Sequence, residues 1–156
     1  CGDLRPPTID SLGMVAALQS YSQLWSERTG IAVAFDPSPN LRRLPEAIEL
    51  SVFRIIQEGL RNVRKHAHAS SVEVHLRHTT PRRLMVAVAD DGRGLPEDFN
   101  LSRLAMEGHY GLLGLSERVA LLDGRMKLEN RPSGGLLLEV EVPHPRVDAE
   151  AVTDPD

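Results

Sequence analysis

An α/β fold is predicted by three features of the sequence. A long helical segment beginning at Pro45 carries one continuous apolar stripe of the kind that packs on a sheet. Two alternating strands follow at 71–77 and 83–89, and a final hairpin pattern occupies 125–129 and 136–142. The 156 residues are 41% hydrophobic and 26% charged, which suits one well-buried domain rather than two and excludes the disordered and fibrous classes. Aromatic residues are only 4%, so the core must be aliphatic.

The elements follow in chain order. Leu4 to Pro7 (LRPP) cannot lie inside a helix, because proline fixes φ and removes a donor. Thr8 and Asp10 are then candidate caps for a helix reaching about Arg28, with Met14, Leu18, Tyr21 and Trp25 as its stripe and Gly30 as its stop. Ile31 to Phe35 reads as a short strand and Asp36 to Leu44 as a loop. Pro45 suits a first helical turn, and Ile48, Val52, Ile55, Ile56, Leu60, Val63 and Ala67 form one apolar stripe. Arg54, Glu58, Asn62, Lys65 and His66 form the opposite stripe. A Thr-Thr-Pro-Arg turn joins the two alternating strands. DDGRGLP (90–96) and a polar stretch to about Tyr110 come next, then a helix from about Leu112 to Leu122 that ends at Asp123-Gly124. The hairpin turns around Pro132 to Gly135, and the chain from Pro143 is acidic and expected to be mobile.

The formal charge is −4, which gives no bulk case for binding nucleic acid or an anionic membrane. Residues 143–156 hold four acids against Arg146, so the rest of the chain carries about −1. Sixteen of the eighteen basic residues are arginine, and Arg61, Arg64 and Lys65 gather in one place, where their field acts over a Debye length of about 8–10 Å. No apolar run approaches the roughly 20 residues of a membrane helix. Cys1 is the only cysteine, which fits a reducing compartment, and a cytoplasmic location is expected.

Three stretches carry chemistry. Glu58 and Asn62 stand four residues apart and so project from one helix face. A carboxylate beside a neutral amide oxygen suits Mg²⁺, which takes few protein ligands and completes its octahedron with water and phosphate oxygens. Lys65 and His66 would face the same phosphates. Asp90, at a strand end before Gly92 and Gly94, can accept from an exocyclic amine such as that of adenine. Gly108, Gly111 and Gly114 lead into a helix whose free N–H groups and dipole favour an anion. Each also has a commonplace reading: a solvated helix face, an Asp-Gly turn, a loop capped by a helix. Their occurrence together favours the nucleotide reading. No Walker loop and no GxGxxG fingerprint is present.

FRIIQEGLRNVRKHA, VADDGRGLP and GHYGLLGLSERV, in this order, resemble the N, G1 and G2 boxes of the ATP-binding fold shared by gyrase, the Hsp90 chaperones, histidine kinases and MutL. The first and third look specifically like those of bacterial sensor histidine kinases whose response regulators bind DNA through a helix-turn-helix. LRPPTIDSLGMVAAL is similar to the segment that follows the second dimerisation helix in that group. The resemblance implies a Bergerat-type two-layer α/β sandwich: a mixed sheet, helices on one face, and a mobile lid over ATP at about 95–110. It implies that residues 1–9 end a dimerisation-helix linker, 10–143 form the catalytic domain and 144–156 form an acidic tail.

By the same resemblance, Asn62 coordinates Mg²⁺, and Glu58 activates the attacking group or a metal-bound water. Asp90 accepts from the adenine amine, Gly92 and Gly94 shape its pocket, Gly108, Gly111 and Gly114 let the lid approach the phosphates, and Leu112 belongs to the ATP-binding residues. Lys65, His66, His109 and Tyr110 are further ATP neighbours. The implied cofactors are ATP and Mg²⁺. The implied partners are a dimerisation and phosphoacceptor domain of the same protein and a response regulator, with this domain monomeric alone, the full-length protein a homodimer and no nucleic acid bound directly. None of the six histidines has the helical context of the family's phosphoacceptor, so a fragment is expected.

Two positions depart from the family pattern. Leu136 follows Gly135 where threonine is usual, which removes a hydroxyl near the adenine pocket. Gly59 stands where alanine is usual and costs a helix interior about 1 kcal/mol with no evident gain. The rival functions are a stand-alone ATPase or anti-sigma-factor-type serine kinase of the same superfamily, and a degenerate nucleotide-binding module.

Overall fold

The computed structural model describes residues 13–96, 99–106 and 110–145. Helix α1 (Gly13–Thr29) buries Met14, Ala17, Leu18, Ser22 and Trp25 along one face. Tyr21, on the flank of that stripe, sets its ring edge-on to Phe53 with centroids 5.4 Å apart. Gly30, at φ +76°, ends the helix with its N–H on the Ser26 carbonyl. The proposed caps Thr8 and Asp10 lie outside the described residues.

Strand β1 (Ala32–Pro37) runs one residue later at its start and two at its end than the apolar pattern suggests, and pairs parallel with β2 (Ser71–Thr80). Between them lies α2 (Glu46–Asn62), so β1, α2 and β2 form a β-α-β unit. Val52, Phe53, Ile55, Ile56 and Leu60 of α2 are buried, as the stripe requires. Glu49 is also buried, 2% exposed, where it accepts from Arg43 Nε at 3.2 Å and Leu44 N at 3.0 Å and folds the preceding loop over the first turn.

The regular helix stops at Asn62 instead of continuing to Ala67. Residues Val63–Ala67 form a π turn, and His68, left-handed at φ 54°, closes it. One wider turn interrupts the 3.6-residue period, so Lys65 and His66 are no longer a simple α-helical continuation of the Glu58 and Asn62 face.

Strands β2 and β3 (Arg83–Asp90) are antiparallel, with Val74 opposite Val88. The chain then enters α3 (Leu101–Met106), inside the stretch expected to be polar loop. The Asn100 side chain accepts from Arg103 N at 2.8 Å and so caps its start. Helix α4 (Tyr110–Leu121) begins two residues before Leu112, and β4 (Arg125–Asn130) and β5 (Leu136–Pro143) form the last hairpin. The sheet order is β1-β2-β3-β5-β4, with the β1–β2 pair parallel and the other three antiparallel. It is therefore mixed, as the resemblance implies.

Alternate residues of three strands make the sheet side of the core: Val72, Val74 and Leu76, then Leu84, Val86 and Val88, then Leu138, Val140 and Val142. Leu18, Ile55, Ile56, Leu60, Leu112, Leu115 and Val119 of the helices pack against them in the same cluster. The acidic tail starts later than Pro143, because His144 is 7% exposed and its N–H bonds the Arg82 carbonyl at 2.8 Å. Among the described residues no helix is long and apolar enough to cross a membrane.

Candidate functional site

Helix α2 lies across the sheet with its apolar stripe down, so its polar stripe forms one wall of an open cavity. Glu58 and Asn62 come from this wall, Lys65 and His66 from the π turn, and Tyr110, Gly111, Gly114 and Arg118 from α4 opposite. The cavity holds about 390 Å³. Asn62 is only 7% exposed, held at the base of the wall. Gly111 leaves room for the Glu58 carboxylate, which a Cβ at this position would overlap and push aside. That carboxylate therefore sits at the first turn of α4, where the helix dipole favours negative charge.

A far smaller void of about 10 Å³, room for one water at most, shares Asn62 with it. Its walls include Gly59, Val88, Asp90, Leu112 and Leu136. Asp90 ends β3 at 2% exposure, and its Oδ1 accepts from Gly92 N at 2.8 Å and Leu136 N at 3.2 Å. Burial pushes the Asp90 carboxyl above its usual pKa, against the pull of those two amides. Leu136 thus brings no hydroxyl, but its main-chain N–H reaches the acid that the pocket is built around.

The loop after Asp90 is held at two further points. Asp91 accepts from Ser70 N at 2.8 Å and from Ser71 N at 3.0 Å, and these bonds hold its pKa below the usual carboxylate range. Asn130 clamps Leu95 with both halves of its amide, each bond 2.8 Å. Gly94, at φ +74°, passes so close that a Cβ would lie 2.5 Å from Asn130 Oδ1. Glycine is required there by both conformation and space.

The structure therefore gathers Glu58, Asn62, Lys65, His66, Tyr110, Gly111 and Gly114 around one cavity and Asp90 and Leu112 around its neighbour. Leu112 is buried and lines the small void, not the large cavity. Gly92 and Gly94 shape the Asp90 loop from outside both cavities. Gly108 and His109 lie outside the described residues. Of the three basic residues read as a cluster, Arg61 and Lys65 line the large cavity and Arg64 does not. Sequence reasoning missed the lining residues Gln57 and Arg118, and the supports Asp91, Asn130 and Arg131. Arg118 carried a signal, since it falls two turns after Gly111 on the same helix.

No group of three or more His, Cys, Asp or Glu suited to a metal occurs among the described residues. The oxygen pair of Glu58 and Asn62 fits Mg²⁺, which is held by one or two protein oxygens together with substrate phosphates.

Residues 47–146 match the Histidine kinase-, DNA gyrase B-, and HSP90-like ATPase family, and the chain belongs to it. It is 35% identical over 141 residues to the signal transduction histidine-protein kinase/phosphatase DegS of Brevibacillus brevis. That match takes in 90% of this chain and 35% of the relative, so the chain spans about a third of the relative's length. The fold is similar to that of ShkA in complex with AMPPNP, with a TM-score of 0.71 at 20% identity over 88% of this chain and 30% of that one. It is also similar to the histidine kinase domain of the Erythrobacter litoralis blue-light activated kinase, with a TM-score of 0.68 at 22% identity over 84% of this chain and 61% of that one.

Proposed function

We propose that this chain is the ATP-binding catalytic part of a protein-histidine kinase. It presents the γ-phosphate of ATP to a histidine on a separate dimerisation domain of the same protein, from which a response regulator is phosphorylated. The observation that carries this reading is the cavity of about 390 Å³ that Glu58, Asn62 and cationic side chains line for a triphosphate. The buried Asp90 carboxylate, beside a small void that shares Asn62 with that cavity, is the acceptor for the adenine amine.

Each residue has a role. Asp90 accepts a hydrogen bond from the exocyclic amine, and Lys65 and His66 balance phosphate charge. The main-chain N–H groups of the first α4 turn, which Gly111 allows to come close, bond phosphate oxygens. Asn62 and Glu58 would hold Mg²⁺, which neutralises phosphate charge when bound. Glu58 also takes the N–H proton of the incoming imidazole as an N–P bond forms and the bond from the γ-phosphorus to ADP breaks. Positioning and charge neutralisation supply most of the catalysis. The isolated domain is monomeric and turns over little ATP.

The test is calorimetric titration of an ATP analogue with and without Mg²⁺, followed by addition of a separately made dimerisation domain. Mg²⁺-dependent binding and an acid-labile phosphohistidine on the added domain are expected. No binding refutes the nucleotide site, and steady-state hydrolysis without phosphohistidine indicates an ATPase instead.

A further inference from the structure

The β3–β5 ladder ends at Ala89 opposite Leu137, one residue short of Asp90. Past that point Gly135, at φ +94°, crowds the Asp90 carbonyl so closely that a side chain there would overlap it. The carbonyl finds its donor elsewhere: Arg131 Nη1 bonds it at 2.7 Å. Arg131 Nη2 lies 4.0 Å from Glu73 Oε2 on β2, and the other oxygen of Glu73 is bonded by His75 Nε2 at 3.0 Å. Arg131 is in turn fixed by its own loop, its N–H on the Gly135 carbonyl at 2.8 Å and its carbonyl accepting from Gly134 N at 3.0 Å. One turn, residues 131–136, therefore grips Asp90 twice: the guanidinium on its main-chain oxygen and the Leu136 N–H on its carboxylate.

We infer that Arg131 is a positioning residue that sets nucleobase selectivity from outside the pocket, by fixing the backbone from which the Asp90 carboxylate is aimed. The inference rests on the reading of Asp90 as the acceptor for the adenine amine. Guanine presents a carbonyl oxygen where adenine presents that amine, so a well-aimed carboxylate attracts one base and repels the other. A carboxylate free to swing loses that discrimination, because a hydrogen bond weakens steeply with angle. The positive guanidinium also opposes the rise in the Asp90 pKa, alongside the Gly92 and Leu136 amides and against burial and the Asp91 charge.

Affinities for ATP, GTP and inorganic tripolyphosphate, measured on the full chain and on Arg131→Met, Arg131→Lys, Glu73→Gln and Asp90→Asn, test this. Arg131→Met is expected to weaken ATP about tenfold, to collapse the ATP-to-GTP ratio and to leave tripolyphosphate unchanged. Arg131→Lys, which keeps a charged donor, restores part of the ratio, and Glu73→Gln lowers it less than Arg131→Met. An unchanged ratio in Arg131→Met, or an equal loss for all three ligands, overturns the inference. Asp90→Asn separates the two readings. If it loses the ratio while Arg131→Met keeps it, only the role of Arg131 fails. If it too keeps the ratio, the base assignment fails first.

Discussion

Asp90 is an acid in a place that disfavours its charge, and that conflict separates binding from stability. Its folded pKa is raised by burial, so between the unfolded value near 3.8 and that raised value the native state holds the proton more tightly. Stability from this group is present at low pH and lost as pH rises through the folded pKa. At pH 7 the fold carries the cost of a buried carboxylate. Asp90→Asn keeps an oxygen for the Gly92 and Leu136 amides and removes the charge. The variant is expected to melt at or above the parent temperature at pH 7 while losing ATP binding, and a Tm several degrees below the parent would show that the fold needs the charge. Gly111→Ala tests the opposite wall. Alanine favours a helix by about 1 kcal/mol, but its Cβ lands on the Glu58 carboxylate. Phosphotransfer to a separate histidine domain should fall about 10²-fold with the Tm unchanged or raised. Parental phosphotransfer would mean that Glu58 does not need its place beside Gly111. Glu58, Asn62 and Asp90 are legible in the sequence because spacing alone puts them on a face or at a strand end. Arg131 and Asn130 are not, since their partners lie 41 and 35 residues away and no local pattern marks them.

At the scale of elements, periodicity finds what is long and regular. Helices α1 and α2 and all five strands follow from apolar spacing, with ends displaced by a few residues. Period fails where geometry changes: the π turn at Val63–Ala67 has the composition of helix, and no residue in it marks the widened turn. Helix α3 is six residues long, too short to show a stripe, although Asn100 three residues before Arg103 has the spacing of a cap. Gly59 reads in sequence as a weak point in α2, and the structure gives it a reason. A Cβ there would stand 3.3 Å from Leu138 Cδ2 and 3.3 Å from Val88 Cγ2, so glycine lets the helix approach β3 and β5 beside the small void. Gly59→Leu is expected to destabilise by about 1–3 kcal/mol through overpacking against Val88 and Leu138, measured by urea unfolding. Parental stability would show that α2 can lift from the sheet without penalty.

Across the whole molecule, the end farthest along the sheet from Asp90 is fastened by two histidines. His144, just past β5, places Nε2 3.2 Å from Nδ1 of His78 on β2, and its own Nδ1 lies 2.7 Å from the Pro145 carbonyl. A carbonyl only accepts, so His144 Nδ1 carries a proton. In the neutral pair His78 Nδ1 then donates to His144 Nε2, and His78 Nε2 is left as a buried lone pair without a donor. Burial is the main reason that the His78 pKa is lowered, with the charges of His144 and Arg42 adding to it and a hydrogen bond to the Arg83 main chain opposing it. The unfolded chain therefore takes the proton first. Stability from His78 is complete above the unfolded histidine pKa of about 6.5 and is lost as pH falls from there through its lower folded value. His78→Phe keeps an aromatic ring edge against His144 and removes the titration. The fall in Tm between pH 7.5 and pH 5.5 should accordingly be smaller in His78→Phe than in the parent. Equal falls in the two proteins would assign the acid sensitivity of the fold to its carboxylates and leave the histidine pair a packing contact only.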